Sequence, residues 1–210
     1  MTDVAIAPLT VDMLRAALEK NDFVSFPAIL AEYDKLSDYQ EFSLHFVQNQ
    51  IVGTISYCTE NHELIVANLI LLLGNAFEDA KVMGSNRPIY VEAVGDIFEP
   101  DVQLVMGETQ LHRYGRVKNA TMNPSVIVEV HSASTKDFDL STKLEAYKTI
   151  PTLQHIIFIE QDKPHVSTYS RTKRPNEWLN VDIKDLTQKI KILGNSFHLS
   201  KIYRKVIFQA

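Results

Sequence analysis

Cysteine is almost absent from this chain, because Cys58 is the one cysteine among 210 residues. A single cysteine excludes an internal disulfide and is typical of the reducing cytoplasm, where we expect the protein to be located. The cysteine and histidine residues also lack the spacing of a structural zinc site. The N-terminal sequence MTDVAIAPLTVDML has neither the basic start nor the apolar core of a secretory signal peptide, so no export signal is predicted.

Several patterns that carry function in other proteins are missing as well. The sequence has no glycine-rich phosphate loop, no heptads, no internal repeats and no recognisable linker. Residues 64–73 are almost all apolar apart from Asn68, but a bilayer span needs about 20 such residues. We therefore predict no membrane contact. We interpret this run as a helix buried between the sheet and another element, for which the second subunit of a homodimer is one candidate.

Positive charge is not in excess. The 26 acidic residues outnumber the 21 lysines and arginines, and the net charge is −5. An acidic protein is not attracted to nucleic acid as a whole, so such binding would need a local basic patch. A predicted polar loop between Met106 and Asn123 and a predicted hairpin tip each contain a basic group. These groups are His112, Arg113, Arg116 and Lys118 in the loop, and Arg171, Lys173 and Arg174 at the tip. Each is also compatible with an ordinary solvated surface.

The remaining composition is that of an ordinary globular protein, with 45% hydrophobic and 22% charged residues. We predict an α/β fold with a central mixed β-sheet flanked by helices, in a single domain that spans residues 1–210. Within it, residues 1–40 are predicted to form an N-terminal helical segment and residues 41–170 the core. Residues 171–210 are predicted to form C-terminal strands and a short helix.

Two predicted strands carry acidic residues in apolar surroundings. Asp101 opens the strand Val102–Met106, and Glu129 interrupts the strand Val126–His131, whose β-branched residues are typical of a strand buried on both faces. Alternation places Glu129 and His131 on the same face of that strand. A buried carboxylate costs several kcal/mol unless it is paired or binds a metal. Glu129 therefore needs a partner.

A lysine in the following helix is the predicted partner. Within the predicted helix 135–147, Leu140 and Tyr147 belong to a buried stripe, and Lys143 lies between them on the same side. An antiparallel return of the first strand would bring Asp101 next to Glu129. Two carboxylates and one amine are therefore expected to converge.

This trio suits the metal-assisted hydrolysis of phosphodiesters. Asp101 and Glu129 offer the hard oxygen ligands that Mg²⁺ or Mn²⁺ prefers, and a bound metal lowers the pKa of its water and stabilises charge on the phosphate. Lys143 would donate a hydrogen bond to the attacking water or to the phosphate. The spacing leaves one alternative open, in which Glu129 and Lys143 form a purely structural ion pair.

Three segments, taken in their order along the chain, resemble the Uma2 family (formerly DUF820) of the PD-(D/E)xK nuclease superfamily. They are FEPDVQLVMGE, NPSVIVEVHSAST and FDLSTKLEAYKTIPTLQHIIFIEQDKPHVSTYSR. The resemblance runs from about residue 30 to the C-terminus and implies a restriction-endonuclease-like core and a Mg²⁺- or Mn²⁺-dependent endonuclease acting on DNA. It implies catalytic roles for Asp101, Glu129 and Lys143, with the two acids as metal ligands. The superfamily's strand lysine is His131 here, whereas Asp139 and Lys143 match the family's D-x-x-x-K pattern.

This chain departs from the family pattern in the predicted first hairpin (residues 43–57). Many relatives carry glutamates at the positions of Phe46 and Ile51, while His62 matches a later family histidine and is an accessory candidate with His131 and Asp139. The loss of those glutamates favours a second hypothesis, a catalytically degenerate relative that binds nucleic acid or protein. A third hypothesis is a metallohydrolase that cleaves another phosphodiester.

Overall fold

The computed structural model describes residues 8–39, 41–55, 59–85, 87–115, 118–131 and 136–208. Its α-helical segments are α1 Val11–Leu18, α2 Leu30–Leu36, α3 Glu60–Ala76, α4 Lys136–Phe138, α5 Leu144–Lys148 and α6 Leu199–Ile202. A π-helical turn, Asp139–Lys143, joins α4 to α5 without a break. Residues 136–148 are called the lysine helix below.

The described strands form two mixed sheets and a separate hairpin. Their bounds are β1 Phe23–Pro27, β2 Phe42–Val47, β3 Gln50–Ile55, β4 Ala80–Gly84, β5 Ile89–Val91, β6 Asp96–Phe98, β7 Val102–Met106, β8 Leu111–Tyr114, β9 Lys118–Thr121, β10 Val126–His131, β11 His155–Glu160, β12 Val166–Arg171, β13 Trp178–Ile183, β14 Lys189–Ile192 and β15 Asn195–His198. The six-stranded sheet has the order β13-β12-β11-β10-β7-β4, and the seven-stranded sheet has the order β1-β3-β2-β6-β5-β9-β8. Strands β14 and β15 pair with each other.

Strand β10 lies inside the six-stranded sheet and is buried along its whole length. It runs parallel to β11 and antiparallel to β7. Val126, Val128 and Val130 pack into the cluster that contains α3 and α6, while Ile127 packs into the cluster that contains the lysine helix. The predicted alternation of β10 is therefore confirmed, and it directs Glu129 toward the lysine helix.

Helices cover the outer faces of the two sheets. Helices α3 and α6 and the β14–β15 hairpin pack on one face of the six-stranded sheet. Its other face packs against the lysine helix and the seven-stranded sheet, whose far side is covered by α1 and α2. The predicted α/β class, with a mixed sheet flanked by helices, is confirmed. Among the described residues, no helix is long and apolar enough to cross a membrane.

The predicted first hairpin forms, but it belongs to the seven-stranded sheet and not to the sheet of Glu129. Strands β2 and β3 pair antiparallel and continue to β1 and β6 on either side. Gln48 and Asn49 form the turn, with φ values of 50° and 60°, one residue earlier than predicted. Two successive residues with positive φ match the twist of a tight hairpin. Residues 56–57 of the predicted second strand lie outside the described residues.

Two segments that we predicted to be helical or irregular form strands. Within the predicted N-terminal helical segment, residues 23–27 form β1, an edge strand on β3, where the missing amide of Pro27 is tolerated. The predicted polar loop between Met106 and Asn123 contains the β8–β9 hairpin, although residue 116 lies outside the described residues. These strands are short and partly exposed, so their sequences lack a long apolar run.

Arg171, in the predicted basic hairpin tip, stabilises the fold. The Arg171 guanidinium donates hydrogen bonds to the carbonyls of Lys148, Ile150 and Leu153 at 3.2, 2.8 and 2.7 Å. Its Cζ lies 4.4 Å from the centre of the Trp178 ring. These contacts join the C-terminal end of the lysine helix to β12 and β13. Arg171 is therefore committed to the fold and is not a free basic group.

We expect Leu104→Ala to lower the free energy of unfolding by about 2–5 kcal/mol, because Leu104 is fully buried in β7 and its truncation leaves a cavity. Leu179→Ala is the matched control, since Leu179 lies on β13 of the same sheet and is 58% exposed. Its effect should be within about 0.5 kcal/mol. Urea unfolding followed by circular dichroism measures both. Equal effects of the two substitutions would contradict the packing described for β7.

Candidate active site

The pairing of β7 with β10 places the two predicted acidic residues next to each other. Val102 pairs with Val128, so Asp101 lies one step further along, beside Glu129. One oxygen of Asp101, Oδ2, accepts a hydrogen bond from the backbone N–H of Val130 at 2.7 Å. The antiparallel return expected from the sequence therefore exists, and the backbone of β10 itself holds the Asp101 carboxylate.

The lysine helix places a buried ammonium group between two carboxylates. Lys143 Nζ lies 3.1 Å from Glu129 Oε2 and 2.9 Å from Asp139 Oδ1. All three side chains are at most 6% exposed. Asp139 and Lys143 delimit the π-helical turn, a local widening of a helix that occurs often at functional sites. The three charges form one compact network on the inner face of the six-stranded sheet.

Tyr147 has a polar role that we did not predict. Its position four residues after Lys143 indicated a core residue, and the ring is indeed fully buried. Its hydroxyl also donates a hydrogen bond to Glu129 Oε1 at 2.5 Å. Glu129 therefore has one oxygen on Tyr147 and the other on Lys143. A tyrosine in a buried stripe gives no sequence signal for such a bond, because phenylalanine would produce the same pattern.

Burial and neighbouring charges act against each other on the pKa of Glu129. Burial raises this pKa to about 8, the Lys143 ammonium opposes the shift, and the carboxylates of Asp139 and Asp101 add to it. Burial alone would lower the pKa of Lys143, but Asp139 and Glu129 raise it above its usual value. The network therefore stabilises the charged form of Lys143 most strongly, and a proton on Glu129 competes with any cation that binds there.

His62, an accessory candidate, contacts Asp101 directly. Its Nε2 atom lies 3.2 Å from Asp101 Oδ1, and its Nδ1 atom lies 3.5 Å from Glu63 Oε1. The Thr59 hydroxyl caps the N-terminus of α3 by accepting a hydrogen bond from the His62 backbone N–H at 3.1 Å. This cap fixes the position of the His62 backbone. Burial alone would lower the pKa of His62, but the hydrogen bond and charge of Asp101, with a contribution from Glu63, raise it.

His131, at the position of the superfamily's strand lysine, is buried near Asp139 rather than bonded to it. The distance from His131 Nδ1 to Asp139 Oδ2 is 3.7 Å, and the imidazole stacks on Phe158 with ring centres 5.9 Å apart. Burial lowers the pKa of His131 although Asp139 and Glu160 act in the opposite direction. A neutral imidazole therefore occupies the position at which the superfamily places a cation.

Two more side chains, His45 and Glu99, interact electrostatically with Lys143. We assigned neither of them a role from the sequence. His45 lies on β2, and its Nδ1 atom accepts the backbone N–H of Glu99 at 3.2 Å. Burial lowers the pKa of His45 well below its usual value, and the Lys143 charge adds to this. Burial raises the pKa of Glu99 to about 7, against a hydrogen bond from Tyr33 and the charges of Lys143 and Lys118. The sequence shows an acidic residue at position 99, next to Pro100 and Asp101. It does not show that Glu99 lies near Lys143, because that proximity depends on how the two sheets pack.

Phe46 and Ile51, which stand where relatives carry glutamate, belong to a different core. They pair with each other across β2 and β3 and pack with α1 and α2. Phe46 is 6% exposed, and Ile51 is fully buried. Both side chains therefore lie in an apolar cluster separate from the one that contains the lysine helix, whereas the charge of Lys143 acts on the pKa of Glu99.

The donor chemistry fits Mg²⁺ or Mn²⁺ through two carboxylates. Among the described residues, no group of three or more His, Cys, Asp or Glu side chains is arranged to hold a metal ion. Mg²⁺ does not need such a cage, since it usually keeps several waters and binds one or two protein carboxylates. Asp101 is 17% exposed and Glu129 is 4% exposed in their side chains, so Asp101 is the carboxylate that solvent reaches.

The chain is similar to known proteins in both sequence and fold. The sequence matches the Uma2 family, described as "Putative restriction endonuclease", over residues 30–199. Two uncharacterised proteins of Synechocystis sp. (strain ATCC 27184 / PCC 6803 / Kazusa) are similar to it. Protein sll1609 is 28% identical over 155 residues, covering 73% of this chain and 85% of that protein. Protein slr1290 is 26% identical over 159 residues, covering 71% and 78%.

The fold is similar to a crystal structure from Anabaena variabilis ATCC 29413, described as "a putative nuclease belonging to DUF820". The TM-score is 0.68 at 12% identity, and the match covers 86% of this chain and 100% of the other. The family match spans β7, β10 and the lysine helix, which together carry the charged network. The chain therefore belongs to the Uma2 family, as the motifs in its sequence predict.

Proposed function

We propose that this protein is a metal-dependent endonuclease that hydrolyses DNA phosphodiester bonds. The observation that carries the proposal is the buried ammonium of Lys143, held between Glu129 and Asp139 and next to a second strand acid, Asp101. Buried charges are costly, and such a cluster at one edge of a strand pair is a candidate for function as well as for structure. Membership of a family described as "Putative restriction endonuclease" supports the same reaction class.

Asp101 and Glu129 would hold Mg²⁺ or Mn²⁺, which when bound supplies an activated water and neutralises charge on the phosphate. Tyr147 fixes the orientation of Glu129 by its hydrogen bond, and the Val130 backbone N–H fixes that of Asp101. His62 holds the remaining oxygen of Asp101, so it would have to give way or share this carboxylate when a cation binds.

Lys143 would stabilise the negative charge that develops on the phosphate, or hold the attacking water by a hydrogen bond. Asp139 acts as a positioning residue, because its carboxylate fixes the ammonium from within the same helical turn. Charge stabilisation of this kind is strong in a buried site, where water does not screen the interaction.

One observation favours a second candidate function, a binding module without catalysis. Both oxygens of Glu129 are already engaged by Tyr147 and Lys143, which is the arrangement of a satisfied structural pair. In that case the family fold would be retained to bind nucleic acid or protein. A third candidate is a metallohydrolase for other phosphodiesters, which would cleave small substrates but not DNA.

The predicted homodimer also remains a proposal. Helix α3 is apolar on most sides, and its residues Ile70 and Leu71 are 36% and 54% exposed. A second copy that covers Ile70 and Leu71 would bury apolar surface that one copy leaves exposed. The polar face expected of a surface helix is largely missing here.

Calorimetric titration with Mn²⁺ tests the metal site. We expect binding in roughly the micromolar to millimolar range and its loss in both Asp101→Asn and Glu129→Gln, because these substitutions remove the anionic ligands with little change of shape. Glu108→Gln, at an exposed position outside the network, is the control and should bind like the wild type. Absence of Mn²⁺ binding in the wild type would refute the metal-dependent reading and favour the binding module.

Cleavage assays test the reaction itself. We expect nicking of supercoiled plasmid or cleavage of single-stranded DNA with Mn²⁺ and none with a chelator. Lys143→Met should reduce the rate by about 100-fold or more, the scale associated with a lost acid–base or electrostatic group. Glu108→Gln should cleave at the wild-type rate. Hydrolysis of bis-p-nitrophenyl phosphate without cleavage of any DNA would identify the third candidate instead.

The stability of the network can be measured separately from its chemistry. Lys143→Met should lower the free energy of unfolding by about 3–5 kcal/mol, since it leaves two carboxylates buried without their cation. The triple variant Glu129→Gln, Asp139→Asn, Lys143→Met should recover most of this loss. Lys148→Met, one turn later in the same helix, is the control. Unchanged stability of Lys143→Met in urea unfolding would show that the carboxylates do not depend on this cation.

A further inference from the structure

We propose that an open cavity beside the charged network is a nucleobase subsite, which receives a base next to the phosphate being cleaved. The cavity has a volume of about 190 Å³ and lies between the N-terminal half of the lysine helix and strands β10 to β13. The residues on which the argument depends are His131, Leu140, Phe158, Glu160, Tyr169 and Asn180, all of which line it. The assignment to DNA rests on the proposed endonuclease function.

The cavity adjoins the proposed site through His131. This residue lies two positions after Glu129 on the same face of β10, and its ring forms the inner wall of the cavity. Its Nδ1 atom is 3.7 Å from Asp139, which pairs with Lys143. His131 and Asp139 therefore connect the cavity to Lys143.

One buried polar atom of this wall, His131 Nδ1, lacks a hydrogen-bond partner among the described residues. The His131 side chain is 3% exposed. A buried polar atom without a partner is rare and costly. This atom lies nearest to Asp139 and has almost no accessible surface, so a nitrogen or exocyclic group of a nucleobase in the cavity would supply its partner when the imidazole turns toward the cavity.

Aromatic side chains form part of the lining of the cavity. Phe158 and Tyr169 form part of its wall with their rings at 85° and centres 6.0 Å apart, while Leu140 closes it from the lysine helix. Nucleobases are commonly bound by stacking on aromatic side chains and by hydrogen bonds at their edges. On β13, the Asn180 amide nitrogen donates to Ser167 Oγ at 3.0 Å and to the Thr168 carbonyl at 3.4 Å, so its Oδ1 atom is the group that can accept a hydrogen bond from a ligand.

The charges around the cavity argue against a phosphate or a metal as its ligand. Glu160 Oε1 lies 2.8 Å from Lys136 Nζ and 2.7 Å from His165 Nδ1, and its Oε2 lies 2.9 Å from Lys163 Nζ. These contacts lower the pKa of Glu160 to about 2, against the effect of burial. On its other side, His165 Nε2 is 3.3 Å from Asp182. The charged groups thus satisfy one another, which leaves a nearly neutral, hydrogen-bonding cavity that matches an uncharged heterocycle.

Binding of free nucleosides tests the proposal without the nuclease reaction. Deoxyadenosine, deoxyguanosine, deoxycytidine and thymidine are each added to the metal-free protein, and binding is followed by saturation-transfer NMR and calorimetry. We expect at least one nucleoside to bind and deoxyribose 5-phosphate not to bind. Asn180→Leu and Tyr169→Leu should each weaken nucleoside binding at least fivefold. Asn195→Leu, the same asparagine substitution on the exposed strand β15, should have no effect.

Glu129→Gln separates this inference from the proposed function. It should abolish Mn²⁺ binding and leave nucleoside affinity unchanged, so a failure of one proposal is visible while the other stands. The nucleobase assignment is overturned if no nucleoside binds, or if binding is the same in wild type and Asn180→Leu. It is also overturned if inorganic phosphate competes for the cavity, which would make it an anion site.

Discussion

The burial of Lys143 is the constraint on which the rest of the site depends. An ammonium group that is 6% exposed is tolerated only when carboxylates replace the lost water, and one carboxylate leaves part of the desolvation cost uncompensated. Here Asp139 comes from the same helical turn and Glu129 from the central strand. The requirement for both fixes the distance and rotation of the lysine helix on the six-stranded sheet, and the hydrogen bond from Tyr147 adds a second contact one turn later.

The same constraint connects the two sheets. Glu99 and His45 come from the strands and connections of the seven-stranded sheet, yet the charge of Lys143 affects the pKa of both. The Glu99 backbone N–H donates a hydrogen bond to His45, and Asp101, two residues later, immediately precedes β7. The short segment from Glu99 to Asp101 therefore leads from one sheet to the other at the point where the charges meet. A change in the position of Lys143 would be transmitted to both sheets.

The sequence was informative wherever one local pattern sufficed. The β-branched run predicted β10 with the correct bounds, and alternation gave the face of Glu129. Helical spacing predicted that Lys143 points inward, and the structure places it on Glu129. Prediction failed where the outcome depended on partners distant in the sequence. The hairpin around Gln48 could have joined either sheet, and short strands such as β1 and β8 are defined by their neighbours more than by their own residues.

The charges around position 131 suggest why this chain has a histidine where the superfamily pattern has a lysine. A lysine at position 131 would place a second buried ammonium close to Asp139, which already pairs with Lys143. Two cations would then share the charge of one aspartate, and their mutual repulsion in a poorly screened interior would be large. The imidazole avoids this, because burial lowers its pKa and keeps it uncharged. The cation thus resides on the helix alone, and the strand position is free to form the wall of the neighbouring cavity.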